Sequence, residues 1–318
     1  MRIETAFKAL SDPTRLRIMR LVAAMELAVG EIAQVLGHSQ PSVSRHIGIL
    51  GDAGLLERRR EGSWMFLRAC SDDGLAGVMA KLLEDGEQLD PDFGAVCASD
   101  RCKLSAIRNT REEQALDYFA AHASDWDELR RLHSPDEAVE DALNAALGDG
   151  NLGHVLDIGT GTGRMAELFA ARAERVVALD KSPAMLRVAR ARLQHLGGDR
   201  IEMVQGDFVD LPMADASMDT VLFHQVLHFA QNPVDALNEA ARVLKPGGRI
   251  AIVDFAAHQR EELRERHAHA RLGFADQQMK SLMEQAGFDP EPPKAMDERE
   301  LVVKIWLATR LPAKQVAA

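Results

Sequence analysis

The chain has 318 residues, 46% of them apolar and 27% charged, a globular mix long enough for two domains that each bury a core. No stretch approaches the ~18 uninterrupted apolar residues of a membrane span. The start MRIETAFKALSDPTR lacks the apolar core of a signal peptide, and three cysteines, Cys70, Cys97 and Cys102, are too few and too odd in number for a disulfide framework. The expectation is a cytoplasmic protein with no membrane partner. Through Arg68 the chain carries 10 Lys/Arg and 7 Asp/Glu, whereas the remainder carries 28 and 42. A basic first piece on an acidic body points to nucleic acid as a partner for that piece alone.

Ser11-Asp12-Pro13 reads as a helix start, with Leu16, Met19, Leu21 and Val22 on the apolar side of the helix it opens. Gly37, His38 and Ser39 end the next helix, and Ser39 or Gln40 with Pro41 opens another. Leu56–Arg60 and Ser63–Arg68 are strand-like and joined by Glu61-Gly62, a hairpin turn signal. Asp72–Asp85 is an amphipathic helix by the spacing of Leu75, Val78, Met79, Leu82 and Leu83. Gly86–Gly94 (GEQLDPDFG) is acidic, holds a proline and two glycines, and reads as a linker; Arg101–Leu147 is largely helical, broken near Ser134-Pro135. From His154 onward strands and helices alternate. The strand-like runs are His154–Ile158, Arg175–Asp180, Arg200–Gln205, Asp219–His224 and Arg249–Asp254, with two more around Asp289–Met296 and Leu301–Thr309. Helical patterns such as Pro183–Leu196 and Pro233–Val243 fill the gaps. This alternation predicts an α/β fold with a mostly parallel sheet covered on both faces. The expected division is a first domain over 1–85, a linker and connecting helix over 86–111, and a second domain over 112–318.

On a helical wheel of Gln40–Leu50, Val43, Ile47 and Leu50 share the inward face. Arg45 points away from it, with Pro41 and Gly48 beside it and Ser42 and Ser44 on the flanks. A cation among small residues and hydroxyls suits a helix in the DNA major groove, Arg45 reaching guanine and Gln40, Ser42 and Ser44 reaching phosphate or base edges. Arg58, Arg59 and Arg60 precede the hairpin turn, where they would straddle the adjacent phosphate backbone. The segments ALSDPTRLRIMRLV and EIAQVLGHSQPSVSRHIGILGDAGLLERRREGSWMFLRA resemble the ArsR-type winged helix-turn-helix repressors over roughly residues 3–85. The resemblance implies a homodimer built through the first helix and the Asp72–Asp85 helix. It also implies binding of double-stranded operator DNA, with Gln40, Ser42, Ser44, Arg45, Arg58 and Arg60 as contacts. Many relatives sense metal through a Cys-x-Cys before the turn; Leu27-Ala28-Val29-Gly30 stands there with no thiol, and the Asp72–Asp85 helix has no histidine, so no metal is expected.

In the second half, VLDIGTGTGR places Gly159, Gly161 and Gly163 between a strand and a helix. Glycine lets the chain turn sharply and lets a ligand approach the backbone. A dinucleotide fingerprint needs its third glycine where Arg164 stands, which disfavours NAD. Asp157, two places before the first glycine, suits a ligand's ammonium better than a pyrophosphate. Asp180 ends the second strand, where a carboxylate suits ribose hydroxyls. Asp207 after the third strand accepts from an adenine amino group, Phe208 covers the ring, and Met185 supplies apolar contact on its other face. VLDIGTGTGR, ALDKSPAML, QGDFVDLP, DTVLFHQVLH and LKPGGRIAIVDF together resemble class I S-adenosylmethionine-dependent methyltransferases, closest to the small-molecule group, over about residues 112–290. The resemblance implies a Rossmann-like seven-stranded sheet ordered 3-2-1-4-5-7-6. It implies Asp157, Gly159, Thr160 and Gly161 at the methionine part, Asp180 at the ribose, Asp207 and Phe208 at the adenine, His224 closing the pocket, and Lys181 among the cofactor-binding residues. YFAAHASDWDEL resembles the helical cap of that group, which implies Tyr118 and Trp126 near cofactor or acceptor.

His224-Gln225-Val226-Leu227-His228 has the histidine spacing of a zinc protease, but Gln225 replaces the catalytic Glu and the first His ends a strand. His224 and His228 are instead expected to line the acceptor pocket, with Asp254 as a further strand-end candidate for a base. Cys97 and Cys102, five apart, are poorly spaced for metal. The absence of cysteine after Cys102 argues against arsenic as acceptor, and His267-Ala268-His269 reads as a solvated helix segment. Two functions remain: a DNA-binding regulator whose second domain methylates a small molecule, and a non-catalytic sensor of S-adenosylmethionine or S-adenosylhomocysteine, with methionine-cycle genes as its targets.

Overall fold

The computed structural model describes residues 2–70, 74–131, 136–196, 200–296 and 301–312. It divides into two compact units, Met1–Glu113 and Gln114–Ala318.

The first unit holds helices α1 (Ile3–Leu10) and α2 (Pro13–Ala24), strand β1 (Leu27–Ala28), α3 (Val29–Leu36), α4 (Gln40–Asp52), a hairpin of β2 (Leu56–Glu61) and β3 (Trp64–Ala69), α5 (Leu75–Leu89), and α6 (Pro91–His122), within which the division falls. Asp12 starts α2 as expected: the Arg15 N–H donates to its carboxylate at 3.1 Å, and Pro13 follows where its missing N–H costs nothing. Val43, Ile47 and Leu50 of α4 enter one core with Ile18, Met19 and Val22 of α2, Ile32 of α3 and Leu67 of β3. The three strands are antiparallel in the order β1-β3-β2. The hairpin turns at Gly62-Ser63, one residue later than expected, because Glu61 still pairs with Trp64 in the ladder. The expected start of α5 at Asp72–Asp73 lies outside the described residues.

Gly86–Gly94 is not an open linker. Gly86 lies inside α5 and Gly94 inside α6, with Asp90 alone between them. The Asp90 carboxylate accepts from the N–H groups of Asp92 at 3.0 Å and Phe93 at 3.1 Å, so Asp90-Pro91 caps a helix with the same chemistry as Asp12-Pro13. The first part of α6 is held to its own unit by buried Cys97 and Leu104 and by ion pairs. Arg17 chelates the buried Asp100 carboxylate at 2.6 and 2.7 Å, and Glu87 takes both Arg20 and Arg101. Arg111 reaches Glu31 at 2.9 Å while its guanidinium lies 5.6 Å over the Trp64 ring.

The second unit begins with the end of α6, then α7 (Trp126–Arg131) and α8 (Asp136–Ala146); the expected break at Ser134-Pro135 lies outside the described residues. Alternation follows: β4 (His154–Ile158), α9 (Arg164–Phe169), β5 (Arg175–Asp180), α10 (Pro183–Leu193), β6 (Ile201–Gln205), β7 (Met218–His224), α11 (Pro233–Val243), β8 (Leu244–Phe255), α12 (Glu261–Arg266), α13 (Asp276–Gln285), β9 (Phe288–Pro290), β10 (Lys294–Met296) and β11 (Val303–Arg310). Strands run in the order β10-β11-β8-β7-β4-β5-β6, with β9 also on β11. β4 to β8 are mutually parallel and β11 is antiparallel to β8. This is the 3-2-1-4-5-7-6 order, except that the sixth strand is split, giving eight strands among the described residues. Pro292 and Pro293 lie between β9 and β10, and proline brings no N–H to a ladder. Side-chain alternation feeds two cores, one on each face: Val155 packs with Val139, Phe169 and Leu193, whereas Leu156 and Ile158 pack with Leu237, Ala240 and Phe274.

Candidate functional site

In the second unit, β4 delivers Asp157, almost fully buried, to the sheet edge, and the chain turns at once through Gly159 at φ +66°. A Cβ there would overlap Val226, so only glycine allows the β4 and β7 ends to meet. The Thr160 hydroxyl donates to Asp157 at 2.6 Å, and the Thr160 N–H donates to the Leu179 carbonyl at 2.9 Å, which seats the loop on β5. Asp180, at the end of β5, accepts the Gly161 N–H at one oxygen and the Ser182 N–H at the other, each at 2.8 Å. Burial pushes the Asp180 carboxyl above the ordinary carboxylate range, against the pull of the Ser182, Gly161 and Lys181 N–H groups. Lys181 turns to Asp207 at 2.7 Å, and the other Asp207 oxygen accepts the Val209 N–H at 3.1 Å. Lys181 therefore braces Asp207. Phe208 is half-buried beside the core, and Met185, at the start of α10, is buried.

Above the loop lies an aromatic cluster. Phe119 of α6 meets Trp126 of α7 edge to face at 5.4 Å and Phe229 at 4.8 Å. The Trp126 Nε1 is 3.7 Å from where a Cβ on Gly161 would stand, so the indole lies against the glycine loop. Tyr118 makes a 2.8 Å hydrogen bond between its hydroxyl and His267 Nδ1. Burial raises the Tyr118 pKa, and burial first, then the neighbouring His122 and Arg266, lowers that of His267. The His267 segment is not a helix: α12 ends at Arg266, and His269 is buried, its ring stacked 4.0 Å from that of His228.

His224 ends β7 and is buried; His228 follows in a 3-10 turn, Leu227–Phe229. His228 Nδ1 lies 2.7 Å from Asp254 Oδ1, and its backbone N–H donates to Asp254 Oδ2 at 3.1 Å. Both partners are buried. No group of three His, Cys, Asp or Glu able to hold a metal occurs among the described residues.

In the first unit, Gln40, Ser44 and Arg45 are exposed on α4 and Ser42 is half-buried. Arg45 has no hydrogen-bond or ion-pair partner among the described residues. The three wing arginines differ in their surroundings, Arg58 and Arg60 being exposed and Arg59 half-buried. Arg58 folds back to donate to the Ile47 and Gly48 carbonyls at 3.2 Å, and a Cβ on Gly51 would stand 2.5 Å from its Nη2. Arg59 is clamped between Glu26 and Glu61 and lies 5.1 Å over the Phe66 ring. Arg60 remains exposed and donates to the Gly62 carbonyl at 3.2 Å. The carbonyls that Arg58 meets lie in the C-terminal half of α4, the half of a helix whose dipole favours a cation.

The motifs alone miss Asp127, Thr162, Arg192, Phe119 and Phe229. The Thr162 hydroxyl donates to Asp127 at 2.7 Å, Arg192 donates to Thr162 Oγ1 at 2.9 Å, and Arg192 also binds the Asp127 carboxylate directly. The signal available in the sequence is the position of Asp127 next to Trp126; its two partners lie far along the chain.

A winged helix-turn-helix and a mostly parallel α/β sheet with a glycine loop at its edge thus stand on one chain. Residues 12–58 match the family model described as bacterial regulatory protein, arsR family, and residues 156–252 match that of a methyltransferase domain. The chain therefore carries an arsR-family domain followed by a methyltransferase domain. It is 45% identical over 102 residues to a demethylmenaquinone methyltransferase of Clavibacter sepedonicus, 32% of this chain and 41% of that one. It is 30% identical over 193 residues to the biotin biosynthesis bifunctional protein BioHC of Teredinibacter turnerae, 56% of this chain and 34% of that one. The chain spans less than half the length of these relatives. Among solved structures, a chain from the Haloferax volcanii complex of the Trm112 methyltransferase activator with a methyltransferase superposes with a TM-score of 0.51 at 22% identity, over 61% of this chain and 98% of that one; it supports the fold. No helix among the described residues is long and apolar enough to cross a membrane.

Proposed function

We propose that the protein is a DNA-binding transcriptional regulator whose second domain transfers a methyl group from S-adenosylmethionine to a small molecule. The observation that carries this reading is the loop between β4 and α9, closed against Val226 at Gly159 and tied to Asp180 by the Gly161 N–H. These residues fit the cofactor. Gly161 keeps a side chain off the loop, Asp157 offers a negative charge near the loop for an ammonium, and Asp180 keeps acceptor capacity for ribose hydroxyls beyond the two N–H groups it already takes. Asp207 and Phe208 would hold the adenine. When bound, the cofactor supplies an electrophilic methyl on a sulfonium.

The chain's own work is alignment and exclusion of water. Phe119, Trp126 and Phe229 offer ring faces and edges to a planar, mostly apolar acceptor. Asp254 holds the His228 imidazole by Nδ1, which leaves Nε2 to take a proton from an acceptor hydroxyl. The arsR-type domain favours a second reading, in which occupancy by S-adenosylmethionine or S-adenosylhomocysteine changes operator affinity without turnover, methionine-cycle genes being the targets. Such coupling requires different ligand affinities in the DNA-bound and free states. Apolar residues exposed on α1 (Ile3 58%, Phe7 52%) and α5 (Val78 59%, Leu82 49%) support a homodimer through those helices.

The test is a footprint of the purified protein on its own upstream DNA, with S-adenosylhomocysteine release monitored in the same sample against cell extract. Protection together with extract-dependent release is expected. Protection that shifts with either cofactor form, with no release, selects the sensor. A protein that binds neither cofactor form by calorimetry overturns both readings.

A further inference from the structure

Trp126 is the first residue of α7, a helix of six residues, too short to hold its position on backbone hydrogen bonds alone. The residue after the indole fixes it. The Asp127 carboxylate accepts the Thr162 hydroxyl at 2.7 Å and the Arg192 guanidinium at its other oxygen. Arg192 closes the triangle by donating to Thr162 Oγ1 at 2.9 Å, and its Nε lies 3.9 Å from Glu167. Thr162 belongs to the glycine loop itself, one residue past Gly161, and is buried; Arg192 comes from α10, the helix that follows Asp180. One triangle therefore joins α7, the glycine loop and α10. It is charge-assisted and half-buried, so it is stronger than a surface pair. Its consequence is local: with Asp127 held by Thr162, Trp126 lies against Gly161 of the glycine loop.

We propose that Asp127 is a positioning residue that, through Thr162 and Arg192, holds Trp126 over the glycine loop and so sets how long the nucleoside cofactor stays bound. This rests on the cofactor reading of the glycine loop. Removing the triangle releases α7 from the loop without touching Asp157, Asp180 or Asp207. The residence of the ligand should then fall while the residues that grip it are intact, so the change appears in the dissociation rate.

The experiment uses the full chain and S-adenosylhomocysteine as the probe. Stopped-flow displacement gives its dissociation rate for the wild type and for Asp127→Asn, Thr162→Val and Thr162→Ser. Acrylamide quenching of tryptophan emission, with Trp126→Phe as the blank for Trp64 and Trp306, reads the position of the indole. Asp127→Asn and Thr162→Val are expected to speed dissociation about tenfold or more, one lost charge-assisted hydrogen bond setting the lower scale and Thr162→Val losing two. Both should expose Trp126 to quencher, and Thr162→Ser, which keeps the hydroxyl, should behave as wild type. Wild-type dissociation rates in Thr162→Val overturn the proposal, as does a Thr162→Ser variant as fast as Thr162→Val. The threonine pair keeps the test valid if Asp127→Asn fails to fold. A wild-type protein that does not bind S-adenosylhomocysteine is a separate result and overturns the cofactor reading instead.

Discussion

The two candidate sites use their charges in opposite ways. On α4 the outward cation, Arg45, has no partner among the described residues. At the glycine loop nearly every polar group is already engaged: Asp180 by two N–H groups, Asp207 by Lys181 and Val209, Asp127 by Thr162 and Arg192. The difference matches the ligands proposed for the two sites. A duplex brings its own dense charge and is met by a surface that has kept a donor available. A small cofactor gains from a pocket whose shape and dipoles are fixed in advance, since ordering them on binding would weaken affinity. The wing falls between the two: Arg59 is clamped by Glu26 and Glu61, whereas Arg58 and Arg60 stay exposed and donate only to backbone carbonyls.

The largest break in this contrast is expected at Gly159. Gly159→Ala forces a side chain into Val226 at a positive φ, destabilising the second unit by about 3 kcal/mol and abolishing cofactor binding; thermal melting and calorimetry with S-adenosylhomocysteine read both. Next is Asp180→Ala, which should weaken that ligand about a hundredfold, two acceptor interactions being lost. Its pH dependence sharpens the point. The Asp180 pKa is raised by burial, so the ionised form is disfavoured in the free protein, while ribose hydroxyls favour it. Affinity should therefore fall as pH drops through that raised value, a loss that begins above the ordinary carboxylate pKa and is absent in Asp180→Ala.

In the first unit, Arg45→Ala should cost about 1–3 kcal/mol of operator-specific binding and leave cofactor affinity unchanged. Arg58→Ala should alter operator affinity less; a footprint more sensitive to Arg58 than to Arg45 would reverse the assignment. The smallest effect concerns Tyr118 and His267, whose hydrogen bond contributes about 1 kcal/mol. His267 has a lowered pKa, so on acidification the unfolded chain takes up the proton first. Stability from this group is complete above the ordinary histidine pKa and is lost as pH falls toward the lowered value. Tyr118→Phe should lower the melting temperature slightly at neutral pH, and His267→Asn should flatten the acid slope.

Periodicity makes much of the fold legible. A helical wheel places Val43, Ile47 and Leu50 inward, and His154–Ile158, Arg175–Asp180 and Pro233–Val243 coincide with elements of the structure. Local signals fail where identical chemistry occurs in a different composition. Asp12-Pro13 reads as a helix start, but Asp90-Pro91, flanked by glycines and acids, reads as a linker; in both, a carboxylate accepts helix N–H groups ahead of a proline. The arginine triplet Arg58–Arg60 looks uniform, yet alternation along a strand sends its members to different partners. The glycine loop is evident from spacing. The triangle that holds Trp126 is not, because its members lie 35 and 65 residues apart in sequence.

Glu31 has a consequence of its own. One carboxylate oxygen accepts the Ala28 N–H at the start of α3, and the other takes Arg111, whose guanidinium lies over Trp64. Three stretches of the first unit therefore depend on one side chain. Drift at position 31 is constrained accordingly: glutamine would keep the acceptor and lose the cation, aspartate would fall short of one partner, and an apolar residue would leave a guanidinium stranded. A descendant can abandon glutamate there only by changing its neighbours in step, which makes position 31 a sensitive place to look for coordinated substitution in the winged-helix half.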